Sequence, residues 1–236
     1  MNHSFLKPIF FAVLSIFFGC WSANATTIQV TITGDNLTGS LRLAVASANP
    51  GDTVAFDAVT DRIPFTLALG EIMIDKSITI MGNGPGITIV SGGNLGRIFN
   101  IADAGVVSIS GMTLANGLAL ESGGAIRSEN SSLELSNVVI ADSEARGSAA
   151  TQGGGGIVNI GGTLTVLNGT LIANNSATGA SGSGGGILNL SGGTLIVSSS
   201  TISGNTSVRA GGGIEDNSGA GTTVVLTDVT LENNAT

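Results

Sequence analysis

The sequence predicts an all-β fold, a right-handed parallel β-helix with about three short strands per coil and a short N-terminal capping helix. Three observations lead there. A Gly-Gly-Gly-Ile corner recurs at Gly154–Ile157, Gly184–Ile187 and Gly211–Ile214, with a degenerate Gly-Gly-Ala-Ile copy at Gly123–Ile126. Each corner is followed by an alternating aliphatic segment, so the line repeats about every thirty residues, within the 20–50 residues typical of solenoids and arrays. Finally, 37 of the 236 residues are glycine and aromatics are scarce, a composition far from the globular average.

Aligning the repeats gives four inward columns. Ile98, Ile126, Ile157, Ile187 and Ile214 form the first; Val107, Leu133, Leu164, Leu195 and Val224 the second. Ile109, Leu135, Val166, Val197 and Leu226 form the third, and Leu114, Ile140, Leu171, Ile202 and Leu231 the fourth. One line cannot fold alone. Its few aliphatic side chains contribute about 1.5–3 kcal/mol each, whereas ordering its backbone costs about 1–2 kcal/mol per residue. Stacked lines succeed, because each covers its neighbour's open edge at about 4.8 Å. A propeller blade would need four strands per repeat and a leucine-rich repeat its own Leu-x-x-Leu-x-Leu spacing; neither pattern is present.

Residues 1–25 read as a secretory leader: Lys7 in the n-region, the apolar run Ile9–Phe18, and the small-x-small site Ala23-Asn24-Ala25. Gly19-Cys20 offers a lipoprotein alternative in which Cys20 is acylated. Cleavage after Ala25 leaves no cysteine, hence no disulfide framework. Residues 26–60 comprise an alternating strand over 27–33, a turn at Gly34-Asp35-Asn36, and a helix over 40–49. Ser40 is its N-cap, Leu41, Ala44, Val45 and Ala48 share its apolar face, and Asn49-Pro50-Gly51 stops it. Such a helix can cover the first coil. Strands follow at 52–56, 65–69, 72–74, 78–80 and 87–89, with a turn insertion over Gly82–Gly86. The repeats fill 61–236 and are expected to continue beyond Thr236, the last coil being a surface for association.

Two series of polar residues follow the columns. Asn100, Ser128, Asn159, Asn189 and Asp216 lie two residues after the first column. Gly117, Ser143, Asn174, Asn205 and Asn234 lie three after the fourth. Asparagine tolerates the left-handed conformation of a sharp corner, and stacked copies can exchange amide hydrogen bonds. These are expected to be structural ladders.

Gly-Gly-Ala-Ile at Gly123–Ile126, its Gly-Gly-Gly-Ile relatives and the following (Leu/Ile)-x-x-Asn resemble the paired repeats of chlamydial polymorphic outer-membrane proteins. Those carry Phe where this chain has Leu or Ile. Thr38-Gly-Ser-Leu-Arg-Leu-Ala44 resembles the N-terminal Cys-Ser-Leu-Arg-Glu-Ala module of secreted bacterial β-helix proteins, with Gly39 for Cys and Leu43 for Glu. The resemblance implies architecture and export, and says little of activity.

The chemistry expected is sparse. Pectin-degrading enzymes use this architecture, and glycoside hydrolysis needs two carboxylates flanking the bond. The chain holds 16 acidic residues, yet Glu215-Asp216 is the only adjacent acidic pair, and strand neighbours point to opposite faces. Arg127 and Glu129 read as solvated rim charges. The glycine runs end in Ile rather than the Asp of calcium-binding nonapeptides, and no Gly-Lys-Ser/Thr follows them, so neither metal nor other cofactor is expected. A formal charge of −8 argues against nucleic acid and anionic membranes, and no later stretch suits a transmembrane helix. The expectation is an exported or outer-membrane-surface module, structural or adhesive and without catalysis of its own. Its partners would be host-cell, matrix or polysaccharide surfaces. The alternative is a polysaccharide lyase or hydrolase whose acids, Glu215 and Asp216 among them, converge only in three dimensions.

Overall fold

Period-two alternation puts aliphatic residues on one face of each short strand, and residues able to adopt positive φ turn the chain at its ends. In the computed structural model these strands form three parallel sheets stacked as a β-solenoid of about seven turns. The structure describes residues 24–221 and 223–236. The leader predicted over 1–25, Cys20 included, lies outside them except for its last two residues. Among the described residues no helix is long and apolar enough to cross a membrane.

The sheets hold eleven, six and four strands. The stack is clearest in the largest, where Ile28, Val54, Ile80, Ile109, Leu135, Val166, Val197 and Leu226 are in register rung upon rung. From Val54 to Val197 these side chains are fully buried. The predicted second column is likewise in register, with Leu164 and Leu195 at 0% exposure. Its last rung, Val224, is 39% exposed. A single aliphatic cluster runs the length of the lumen. Near its start the Phe56 and Phe65 rings meet edge-on at 5.0 Å. A smaller cluster of Val158, Leu188 and Leu190 lies on the outward side of the six-stranded sheet.

The helix spans Leu41–Ser47, with Ser40 as N-cap and Leu41, Ala44 and Val45 buried. Arg42 is the clamp between helix and first turn. It donates to Asp35 through Nε (2.9 Å) and Nη2 (3.1 Å), to Glu71 O through Nη1 (2.8 Å) and to Gly70 O through Nη2 (2.6 Å). Asp52 ties the residue before the first strand to the helix end, accepting from Thr26 N (2.7 Å), Thr26 Oγ1 (2.9 Å) and Asn49 N (2.8 Å). Those donors hold its carboxyl below the ordinary aspartate pKa.

Several boundaries differ from the sequence reading. The first strand is Thr27–Val30 rather than 27–33, because Thr31 N and Ile32 N both turn to Gly39 O. The strand expected over 87–89 is Ile89–Ser91, since Ile87 and Thr88 donate to Gly84 O in a turn. Two columns slip by one residue. Ile126 pairs with Phe99, not Ile98. Ile140 and Ile202 pair with Ile172, not Leu171. The cause of the second slip is local: Asn168 (φ 56°) and Gly169 (φ 76°) make a two-residue corner where the neighbouring coils bend at single residues, Asn137 and Ser199. The corner absorbs the extra residue, so Ile172 stays inward beside Ile140 and Ile202 while a fixed count lands on Leu171.

Candidate functional site

These slips redraw both polar series. In the lumen, Ser128, Asn159, Asn189 and Asp216 are in register. Asn159 Nδ2 donates to Asn189 Oδ1 at 2.7 Å, and Asn189 Nδ2 to Asp216 Oδ1 at 2.8 Å. The same nitrogens also reach backbone at Gly162 O and Gly193 O, closing the corner. Asn100 does not belong here: Ile101 is the residue opposite Ser128, and Asn100 lies opposite Arg127 on the outer face.

The second ladder runs Gly117, Ser143, Asn175, Asn205, Asn234, with Asn175 where the sequence reading placed Asn174. Gly117 N donates to Ser143 Oγ (3.0 Å), Ser143 N to Asn175 Oδ1 (3.0 Å), Asn175 N to Asn205 Oδ1 (2.9 Å) and Asn205 N to Asn234 Oδ1 (3.0 Å). The amide nitrogens of Asn175, Asn205 and Asn234 donate to Ile140 O, Ile172 O and Ile202 O. Asn174 precedes the ladder residue, exposed and at φ 55°, in line with Asn116, Asp142, Gly204 and Asn233. The expectation of one residue in both jobs is corrected: the fold divides them between a left-handed corner residue and a stacked residue beside it. The visible signal was the run of adjacent pairs, Asp142-Ser143, Asn174-Asn175, Gly204-Asn205 and Asn233-Asn234.

The candidate acids do not converge. Glu215 lies outward against Arg209, 3.3 Å away. Asp216 points inward as the last rung of the lumen ladder, accepting also from Ser218 Oγ at 2.6 Å. Between the two lies the thickness of the strand.

The outer face of the six-stranded sheet carries a charged network that the sequence reading did not assemble. Arg97 pairs with Glu71 and donates to Gly123 O and Ser122 O, both at 2.9 Å. Glu71 accepts from Asn100 Nδ2 (2.8 Å), Asn100 Oδ1 accepts from Arg127 (3.5 Å), and Arg127 pairs with Glu129 (2.6 Å). Burial pulls the Arg97 guanidinium below its ordinary pKa, and Glu71 works against that. Each carboxylate is matched by an arginine. Paired-carboxylate hydrolysis needs two acids facing one bond, so this network suits holding the Ser122-Gly123 corner in place. Among the described residues no group of three or more His, Cys, Asp or Glu could hold a metal ion.

A scan against protein-family models finds no match, and a search of curated proteins returns no significant relative. Fold and ladders define the class, a parallel β-solenoid of about seven turns.

Proposed function

We propose that the chain is an exported structural or adhesive module that works by surface contact along the outside of the solenoid. The observation behind this is an outward column on the eleven-stranded sheet: Thr27, Thr53, Thr79, Ser108, Glu134 and Thr165 are in register on consecutive turns. At about 4.8 Å per rung they present five hydroxyls and the Glu134 carboxylate on a rigid base, the column ending in Ile196 and Val225, a polar strip suited to surfaces such as polysaccharide or extracellular matrix. The leader-like N-terminus and the resemblance to outer-membrane and secreted β-helix proteins support export. Binding of the purified mature chain to cells, matrix and polysaccharide tests the proposal. Binding should fall when Thr79 and Thr165 are both changed to Glu, and equal binding by that variant would refute contact through this face. Assays for reducing sugar and unsaturated product on pectin, alginate and chondroitin address the enzymatic alternative. Activity lost on Glu215→Ala or Asp216→Ala would overturn the proposal.

A further inference from the structure

The lumen ladder has a direction. Each amide uses Nδ2 to donate to the following rung, so Asn189 Oδ1 and Asp216 Oδ1 are filled while the Oδ1 of the first amide, Asn159, is not. The residue in register on the preceding rung is Ser128, and its Oγ is also buried without a partner. Both residues are 0% exposed. Two adjacent buried groups, one with a proton to give and one able only to accept, have no protein partner. A buried polar atom left this way is destabilising.

The corner that follows the lumen residue differs between these rungs. The positions preceding the register partners Ser132, Thr163 and Thr194 are Ser131, Gly162 and Gly193. A Cβ at Gly193 would come within 2.4 Å of Asn189 Oδ1 and 2.7 Å of Asn159 Nδ2. Where the corner is glycine, the lumen residue is Asn159 or Asn189; where the corner keeps a Cβ at Ser131, the lumen residue is Ser128. A serine in place of an asparagine leaves space of about one water, whose share of liquid volume is about 30 Å³.

We propose that a single internal water closes the open end of the ladder, accepting from the Ser128 hydroxyl and donating to Asn159 Oδ1. Two polar partners meet the minimum for a buried water. It completes a one-way hydrogen-bond chain from Ser128 through Asn159 and Asn189 to the Asp216 carboxylate.

A crystal structure of the mature chain at about 1.5 Å should show a density peak within hydrogen-bonding distance of both atoms. Ser128→Ala should lower Tm by about 2–6 °C. The double variant Ser128→Asn/Ser131→Gly should expel the water and put an amide nitrogen in its place, while giving up the Ser131 hydroxyl's bonds with Ala104 N and Glu129 O. Direct contact between Ser128 Oγ and Asn159 Oδ1, or no density between them, would overturn the proposal. So would a double variant that retains the peak.

Discussion

Replacing Asn175 by alanine strips two buried backbone groups of their partners. Its Oδ1 accepts from Ser143 N and its Nδ2 donates to Ile140 O, each at 3.0 Å, and the side chain is 0% exposed. Each group left unsatisfied costs about 1–3 kcal/mol, so the pair costs about 2–6 kcal/mol. For a domain of this size about 1 kcal/mol moves Tm by 2–4 °C, so the middle of the range is a fall of about 8–16 °C. Asn174, one residue earlier, is exposed and at φ 55°. Alanine there loses only the asparagine's tolerance of the left-handed region, about 1–2 kcal/mol. Thermal and urea unfolding of both variants, followed by far-UV circular dichroism, gives the comparison. Asn174→Ala as damaging as Asn175→Ala would refute the division of labour between corner and ladder residues.

Other consequences follow from particular contacts. Arg42→Met removes four hydrogen bonds and should destabilise the N-terminal cap by about 3 kcal/mol, seen as faster amide exchange in Thr27–Val30. Gly155→Ala places a Cβ 2.4 Å from Gly185 O, Ser176 N and Ser176 O and should cost about 2–3 kcal/mol. Gly169→Ala meets no atom within 4 Å and should cost about 1 kcal/mol for its positive φ; urea titrations would rank the two. Asp52 has its folded pKa depressed from 3.8, so its stabilisation is present above that value and lost as pH falls through the lowered folded one. Asp52→Asn should therefore narrow the stability gap to wild type below about pH 4, measured by urea midpoint against pH.

Much of the fold was legible because the second and third columns lie two residues apart on one strand, where nothing can be inserted without breaking the alternation. Val107 and Ile109 have the same relation as Leu133 and Leu135 or Leu195 and Leu195's neighbour on that face, Val197. The first column slipped because Ile98 and Phe99 are both fully buried, so hydrophobicity could not choose between them. The fourth slipped at Asn168-Gly169, where a count carried across from other coils lands on Leu171 instead of Ile172. The charged network was hidden for another reason: Arg97 and Glu71 are 26 residues apart, and Asn100 and Glu71 are 29. No local pattern links them.

Composition, glycine corners and alternating aliphatics by themselves determined a stacked parallel solenoid with a helix over its first coil, since only stacking buries such short strands. The alternation of strand neighbours also set Glu215 and Asp216 apart, whereas tertiary structure alone decided which asparagine stacks and which turns the corner. Those outcomes depend on register, and a residue absorbed in a corner shifts every later position in a sequence count by one while the stacked faces stay in place.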